Sequence, residues 1–172
     1  MSIQTGNKAP DFTLFSSDKK PVSLSDYHGR NVLILFFPLA FSSVCTAELC
    51  SVRDQIARYN NANADVIGIS IDSVFVLKKY KEDQHLNFTL LSDFNKEVSQ
   101  DYGVLCEMFP AFEMRGVSKR AAFLIDGEGI VQYAEECESP GDQPDFDKIL
   151  LRLQELQPLK FKVYPINLKL VL

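Results

Sequence analysis

Apolar residues in this chain follow two rhythms, and each predicts a different kind of element. The short runs Phe12–Leu14 and Val22–Leu24 predict strands, with Asp18-Lys-Lys-Pro21 turning between them. The unbroken run Asn31–Phe37 predicts a buried central strand, which Pro38 stops. A loop, Leu39–Ser43, follows, and Ser42 and Ser43 are good N-cap residues for the next segment. From Val44 to Tyr59 the period turns helical. Leu49, Val52, Ile56 and Tyr59 form one stripe, and Cys45 lies on it. Asn60-Asn61 ends this helix.

Asp65–Ile71 predicts a second buried strand, and Ser73 caps a helix running to about Gln84. Phe88–Leu91 predicts a short edge strand. Asp93 caps a further short helix, with Gly103 at its C′ position. Ala121–Ile125 and Ile130–Glu135 are apolar runs joined by Asp126-Gly-Glu-Gly129, a strong hairpin signal. Pro144 opens a last helix with Phe146, Ile149, Leu150 and Leu153 on its buried face, and Pro158 ends it. Parallel βαβ followed by ββα is the layout of a thioredoxin-like α/β sandwich with a central mixed sheet and an N-terminal β-hairpin. Residues 1–157 form the expected domain. The tail, 158–172, differs: it has lysines, alternating apolar residues and no carboxylate side chain.

Composition narrows the function. At 172 residues, 46% apolar and 24% charged, the chain is ordinary globular material, large enough for one core without staples. Its net charge of −5 disfavours nucleic acid as a partner. No apolar run is long enough to cross a bilayer. The opening Met1–Gly6 has neither a basic nor an apolar stretch, which predicts a cytoplasmic location. In that reducing compartment Cys45, Cys50, Cys106 and Cys137 are expected to be buried, catalytic or metal-binding rather than permanent disulfides.

Cys45 falls in the first turn of a helix that follows a central strand. Unpaired N–H groups and the helix dipole favour a thiolate there. Position alone allows equally for a small core residue. The local sequence decides between these readings. Pro38-Leu-Ala-Phe-Ser42-Ser-Val-Cys45 resembles the active-site pattern of the peroxiredoxins (AhpC/TSA superfamily): Pro, three residues, Thr or Ser, two residues, Cys. The resemblance covers roughly residues 6–157, including Pro10-Asp-Phe12. It implies that Cys45 attacks a hydroperoxide, that Pro38 shields it, and that the Ser42 hydroxyl and backbone N–H groups hold the peroxide oxygens. It implies further that Arg120, in Gly116-Val-Ser-Lys-Arg120-Ala, stands beside the thiolate, and that Glu48 orients Arg120. Ser42 replaces the commoner threonine and lacks the methyl that fixes its rotamer. No metal, haem or flavin is implied.

The resemblance is to the E type and to the bacterioferritin-comigratory or Q type. These differ in how the Cys45 sulfenic acid is recycled. Cys50, five residues on, matches the resolving position of the Q type. Five residues along an intact helix separate the two by about 7.5 Å of rise and roughly 140°. A Cys45–Cys50 bond therefore requires the helix start to open. In the E type an external thiol does the resolving. For either type the resemblance implies thioredoxin, a glutaredoxin-like protein or a low-molecular-weight thiol as reductant. Cys106 and Cys137 are open as resolving or incidental cysteines. The family association also implies a homodimer. A thioredoxin-type dithiol oxidoreductase would require Cys-x-x-Cys, which the chain lacks. A zinc module would require a second close ligand pair, and His28 and His85 are isolated. A redox sensor on the same fold would oxidise at Cys45 without turning over.

Overall fold

The apolar run at Asn31–Phe37 becomes the centre of the molecule. The computed structural model describes residues 3–110 and 112–157. The predicted tail, 158–172, lies outside the described residues. In chain order the strands are β1 (Thr13–Ser16), β2 (Pro21–Ser23), β3 (Asn31–Phe36), β4 (Ala64–Ser70), β5 (Thr89–Ser92), β6 (Leu105–Cys106), β7 (Val117–Ser118), β8 (Ala121–Ile125) and β9 (Val131–Glu136). The helices are α1 (Ser43–Asp54), α2 (Ile56–Asn61), α3 (Val74–Asp83), α4 (Glu97–Asp101) and α5 (Phe146–Glu155). A single 3₁₀ turn, Leu24–Tyr27, follows β2.

Among the described residues seven strands form one sheet in the order β2-β1-β5-β4-β3-β8-β9, and β6 and β7 form a small separate ladder. β3 runs parallel to β4, and β4 parallel to β5. β8 and the β1–β2 hairpin are antiparallel to their neighbours, so the sheet is mixed, as expected. Alternate residues of β3 enter two cores. Leu33 and Leu35, with Phe37 beyond the strand end, pack with Cys45, Leu49, Tyr80 and Ile149. Val32, Ile34 and Phe36 pack on the other face with Val98, Tyr102 and Phe123. Both faces are covered, which is why β3 reads as a continuous apolar run.

Two expectations need correction. Phe88–Leu91 was expected at a sheet edge, but β5 pairs with β4 on one side and β1 on the other. Its short apolar run carries no sign of the hairpin that folds back to cover it. The helix expected over Val44–Tyr59 is broken at Gln55, whose N–H bonds back to Val52 O. Apolar spacing continues across the break, so periodicity alone does not reveal it. The small β6–β7 ladder has no counterpart in the pattern of runs. Other local signals hold. Ser73 caps α3, accepting from Val76 N. The Asp93 carboxylate accepts from Val98 N and Ser99 N in α4. Asp126 accepts from Glu128 N and Ile130 N within the hairpin turn. Among the described residues no helix is long and apolar enough to cross a membrane.

Candidate active site

The site forms where β3 ends. Phe37 N–H still bonds to Ile69 O of β4, and Phe37 O accepts from the buried Ser118 hydroxyl. Pro38 then turns the chain into the loop that leads to α1. Two bonds set this loop. Ala40 N–H donates to Asp72 Oδ2 at 2.8 Å, and Ser42 Oγ donates to Leu39 O at 3.0 Å. Ser42 occupies the N-cap position, but its side chain makes no capping bond and turns into the loop instead. Its carbonyl accepts from Thr46 N–H. Cys45 is therefore the third residue of α1, inside the first turn, where N–H groups lack intrahelical acceptors and negative charge is favoured.

Cys45 is only 1% exposed and lies beneath Arg120. Arg120 precedes β8 and is itself buried. Its Nη2 lies 3.3 Å from Cys45 Sγ and 3.3 Å from Pro140 O, and its Nη1 donates to Glu48 Oε2. The planar guanidinium thus spans α1 and the loop after β9, a geometry that a lysine cannot reproduce. Burial works against the Arg120 charge, but Glu48 and Cys45 together outweigh it and hold the guanidinium above its usual range. Complete burial pushes the Glu48 carboxyl up to about 7, with the Arg120 charge pulling the other way. Glu48 Oε1 has no hydrogen-bond partner among the described residues, and Arg120 divides its charge between Glu48 and Cys45.

A groove of about 190 Å³ opens over Arg120 and Pro38, with Met108, Phe109 and Pro110 on one bank. A hollow of about 250 Å³ lies at the other end of β3, beside Val32 and Ile125, and no cysteine lines it. Size therefore does not single out the groove over Arg120; the buried thiol and arginine beside it do.

The structure brings together Cys45, Arg120, Glu48 and Pro38, with Ser42 at the N-cap of α1, three residues before Cys45. It does not bring Cys50 to them. Cys50 is half-buried on the flank of α1, with Sγ 3.8 Å from Gln84 Oε1 at the end of α3. Cys106 and Cys137 do reach the groove. Cys106 Sγ contacts Met108 O at 3.2 Å. Cys137 N–H donates to Arg120 O, and burial, then Glu135 and Glu48, push its thiol up to about 12. That thiol stays protonated and is a poor nucleophile. Among the described residues no three His, Cys, Asp or Glu side chains converge as a metal site would need. Asp72, Thr46, Tyr80 and Pro140 also shape the site, and the sequence did not single them out.

The site thus pairs a buried cysteine at a helix N-terminus with a buried arginine on an α/β sandwich. The sequence profile of the AhpC/TSA family matches residues 5–134, and the chain belongs to that family. Peroxiredoxin Bcp of Escherichia coli strain K12 is 37% identical over 132 residues, covering 76% of this chain and 84% of that protein. Chloroplastic peroxiredoxin Q of Oryza sativa subsp. japonica is 37% identical over 131 residues, 76% of this chain, and the chain spans 58% of that relative's length. Among solved structures, peroxidoxin BcpB from Mycobacterium tuberculosis superposes with a TM-score of 0.80 at 28% identity, covering 91% of this chain and 99% of that one. A peroxiredoxin-like protein from Aquifex aeolicus gives 0.82 at 25%, covering 91% and 90%. The fold is the thioredoxin-like sandwich of these proteins.

Proposed function

We propose that this chain is a thiol-dependent peroxidase that reduces hydrogen peroxide and organic hydroperoxides at Cys45. One observation carries the reading: Arg120 Nη2 stands 3.3 Å from a Cys45 sulfur that is otherwise sealed from solvent. The Cys45 thiolate attacks one peroxide oxygen, and the O–O bond breaks. Sulfur loses two electrons and becomes a sulfenic acid, while the other oxygen leaves as water or an alcohol after taking a proton. Arg120 steadies the thiolate and the charge that develops on the leaving oxygen, and the N–H groups of the α1 first turn assist. Buried Arg120 Nε, which has no partner among the described residues, is a further donor within the site. Pro38 limits water access, and Ser42 holds the loop and offers its lone pairs to the substrate.

A second thiol then condenses with the sulfenic acid. It forms a disulfide, and the sulfenic oxygen leaves as water. Cys50 fills this role once α1 opens, or an external thiol does so: a thioredoxin-like protein or a low-molecular-weight thiol. A dithiol oxidoreductase is less well supported, because Cys45 and Cys50 do not meet on the intact helix. Four free thiols suit a reducing compartment, and the proposed location is the cytoplasm. The reading includes a homodimer, which sedimentation analysis checks.

The test is steady-state peroxide consumption with a thioredoxin system or dithiothreitol as reductant. Cys45→Ser should abolish turnover. Cys50→Ser should leave the first oxidation intact and slow recycling if Cys50 is the resolving thiol. Normal turnover by Cys45→Ser would refute the proposal.

A further inference from the structure

The sulfur that meets peroxide is too deeply buried to meet a second thiol. Cys45 is 1% exposed, and Cys50 lies on the far flank of the same helix, against Gln84. Whether Cys50 or an external thiol recycles the enzyme, the first turn of α1 must open. The contacts holding that turn shut therefore govern the second half of the cycle.

Two of these contacts flank Cys45, and both end on one side chain. Upstream, the ring of Phe41 packs on the ring of Tyr80, centroid to centroid 4.9 Å. Phe41 has a φ of 65°, a left-handed conformation unusual for a bulky residue, while its ring is half exposed. Such a conformation persists only when its surroundings hold it, and the Tyr80 ring is what this one rests on. Downstream, Thr46 Oγ1 and Tyr80 OH share a hydrogen bond of 3.1 Å. Thr46 immediately follows Cys45 and closes the first turn through its N–H bond to Ser42 O. Tyr80 itself is fully buried and anchored in α3, and its ring lies 6.2 Å from that of Phe37. Its phenol is pushed up to about 12, mainly by burial, so it stays neutral. The other ties on the loop, Ala40 N–H to Asp72 and Ser42 Oγ to Leu39 O, do not reach past the N-cap into α1.

We propose that Tyr80 is a positioning residue: a clamp from α3 that grips Phe41 and Thr46 on either side of Cys45 and sets how often the first turn opens to deliver the oxidised sulfur. This rests on the peroxidase reading for its chemical meaning. In the clamped state Cys45 faces Arg120 and reacts with peroxide. In the released state the sulfenic sulfur meets a thiol, a sulfur–sulfur bond forms, and the sulfenic oxygen leaves as water with the thiol's proton. The clamp takes no part in the electron transfer; it divides time between the two states.

The test compares full-length wild type, Tyr80→Phe, Thr46→Val and the double variant. The readout is the rate at which Cys45 sulfenic acid becomes a disulfide, to Cys50 or to added glutathione, relative to its rate of formation from hydrogen peroxide. Amide exchange at residues 46–48 is followed in parallel. Each single change removes the same bond, so each should raise the ratio and speed exchange by about three- to tenfold. The double variant should match the singles, because only one bond exists to be lost. A merely structural role would lower melting temperature and leave the ratio unmoved. An unchanged ratio with unchanged exchange, or additive effects in the double variant, would overturn the clamp. If wild-type Cys45 fails to oxidise, the peroxidase reading fails instead, and amide exchange alone still decides the clamp.

Discussion

Arg120 is the residue on which most of the site's electrostatics converge. It binds Glu48, faces the Cys45 sulfur and reaches Pro140 O with one planar group. Arg120→Lys keeps a charge but cannot hold three partners at once. The rate constant for Cys45 oxidation by hydrogen peroxide, measured by stopped flow, should fall by about 100-fold, the typical worth of a lost transition-state donor. Glu48 gives a second prediction, with a definite sign. Burial pushes its carboxyl up from an ordinary 4.5 to about 7, against the pull of Arg120. Between those values the folded protein holds a proton that the unfolded chain has lost. The stability from this group is therefore complete below about 4.5 and drains away as pH rises through about 7. Glu48→Gln does not titrate, so wild type should lose melting temperature relative to this variant between about pH 5 and about pH 8. A relative gain would contradict the burial argument. The sequence reveals Cys45, Arg120 and Glu48 because a local pattern carries each of them. It does not reveal Pro140 or Cys137 as neighbours of Arg120, because nothing near Arg120 in sequence encodes the end of β9 and its loop.

At the scale of elements, the site depends on how β3 and β4 carry the loop. Gly68 in β4 sits beneath Phe37, the residue just before Pro38. A Cβ added there would lie 2.8 Å from Leu90 Cδ2 and 3.2 Å from Phe37 Cε1. Gly68→Ala should destabilise the fold by about 1–3 kcal/mol through this overpacking, as read by urea unfolding. It should also slow Cys45 oxidation, because the displaced Phe37 carries Pro38 with it. Unchanged stability would mean that Leu90 gives way freely. Element types were largely legible in the sequence, since buried strands and amphipathic helices have distinct periods. Element partners were less so. β5 looks the same at an edge or in the interior, and only its nonlocal pairing with β1 settles its place. The break at Gln55 stayed hidden because Ile56 and Tyr59 extend the apolar stripe of α1 into α2.

For the whole molecule, the sheet delivers its chemistry to one end of β3. β3 leads into α1 and Cys45, and its neighbour β8 brings Arg120 from the opposite direction. Parallel and antiparallel partners on the two sides of one central strand are what allow residues 75 positions apart to share a site. The same layout keeps the four thiols distinct: one under arginine, one on the helix flank, and two on the groove, of which Cys137 is held protonated. The reading thus predicts selectivity among four cysteines, and intact mass with peptide mapping measures it directly. Wild type and Cys45→Ser are each given one equivalent of hydrogen peroxide with a sulfenic-acid trap present. The account predicts rapid two-electron oxidation confined to Cys45 in wild type, seen as a trapped adduct or as a disulfide that includes Cys45, and no rapid change in the variant. Equally fast oxidation of Cys45→Ser, or first oxidation at Cys50, Cys106 or Cys137 in wild type, would contradict it.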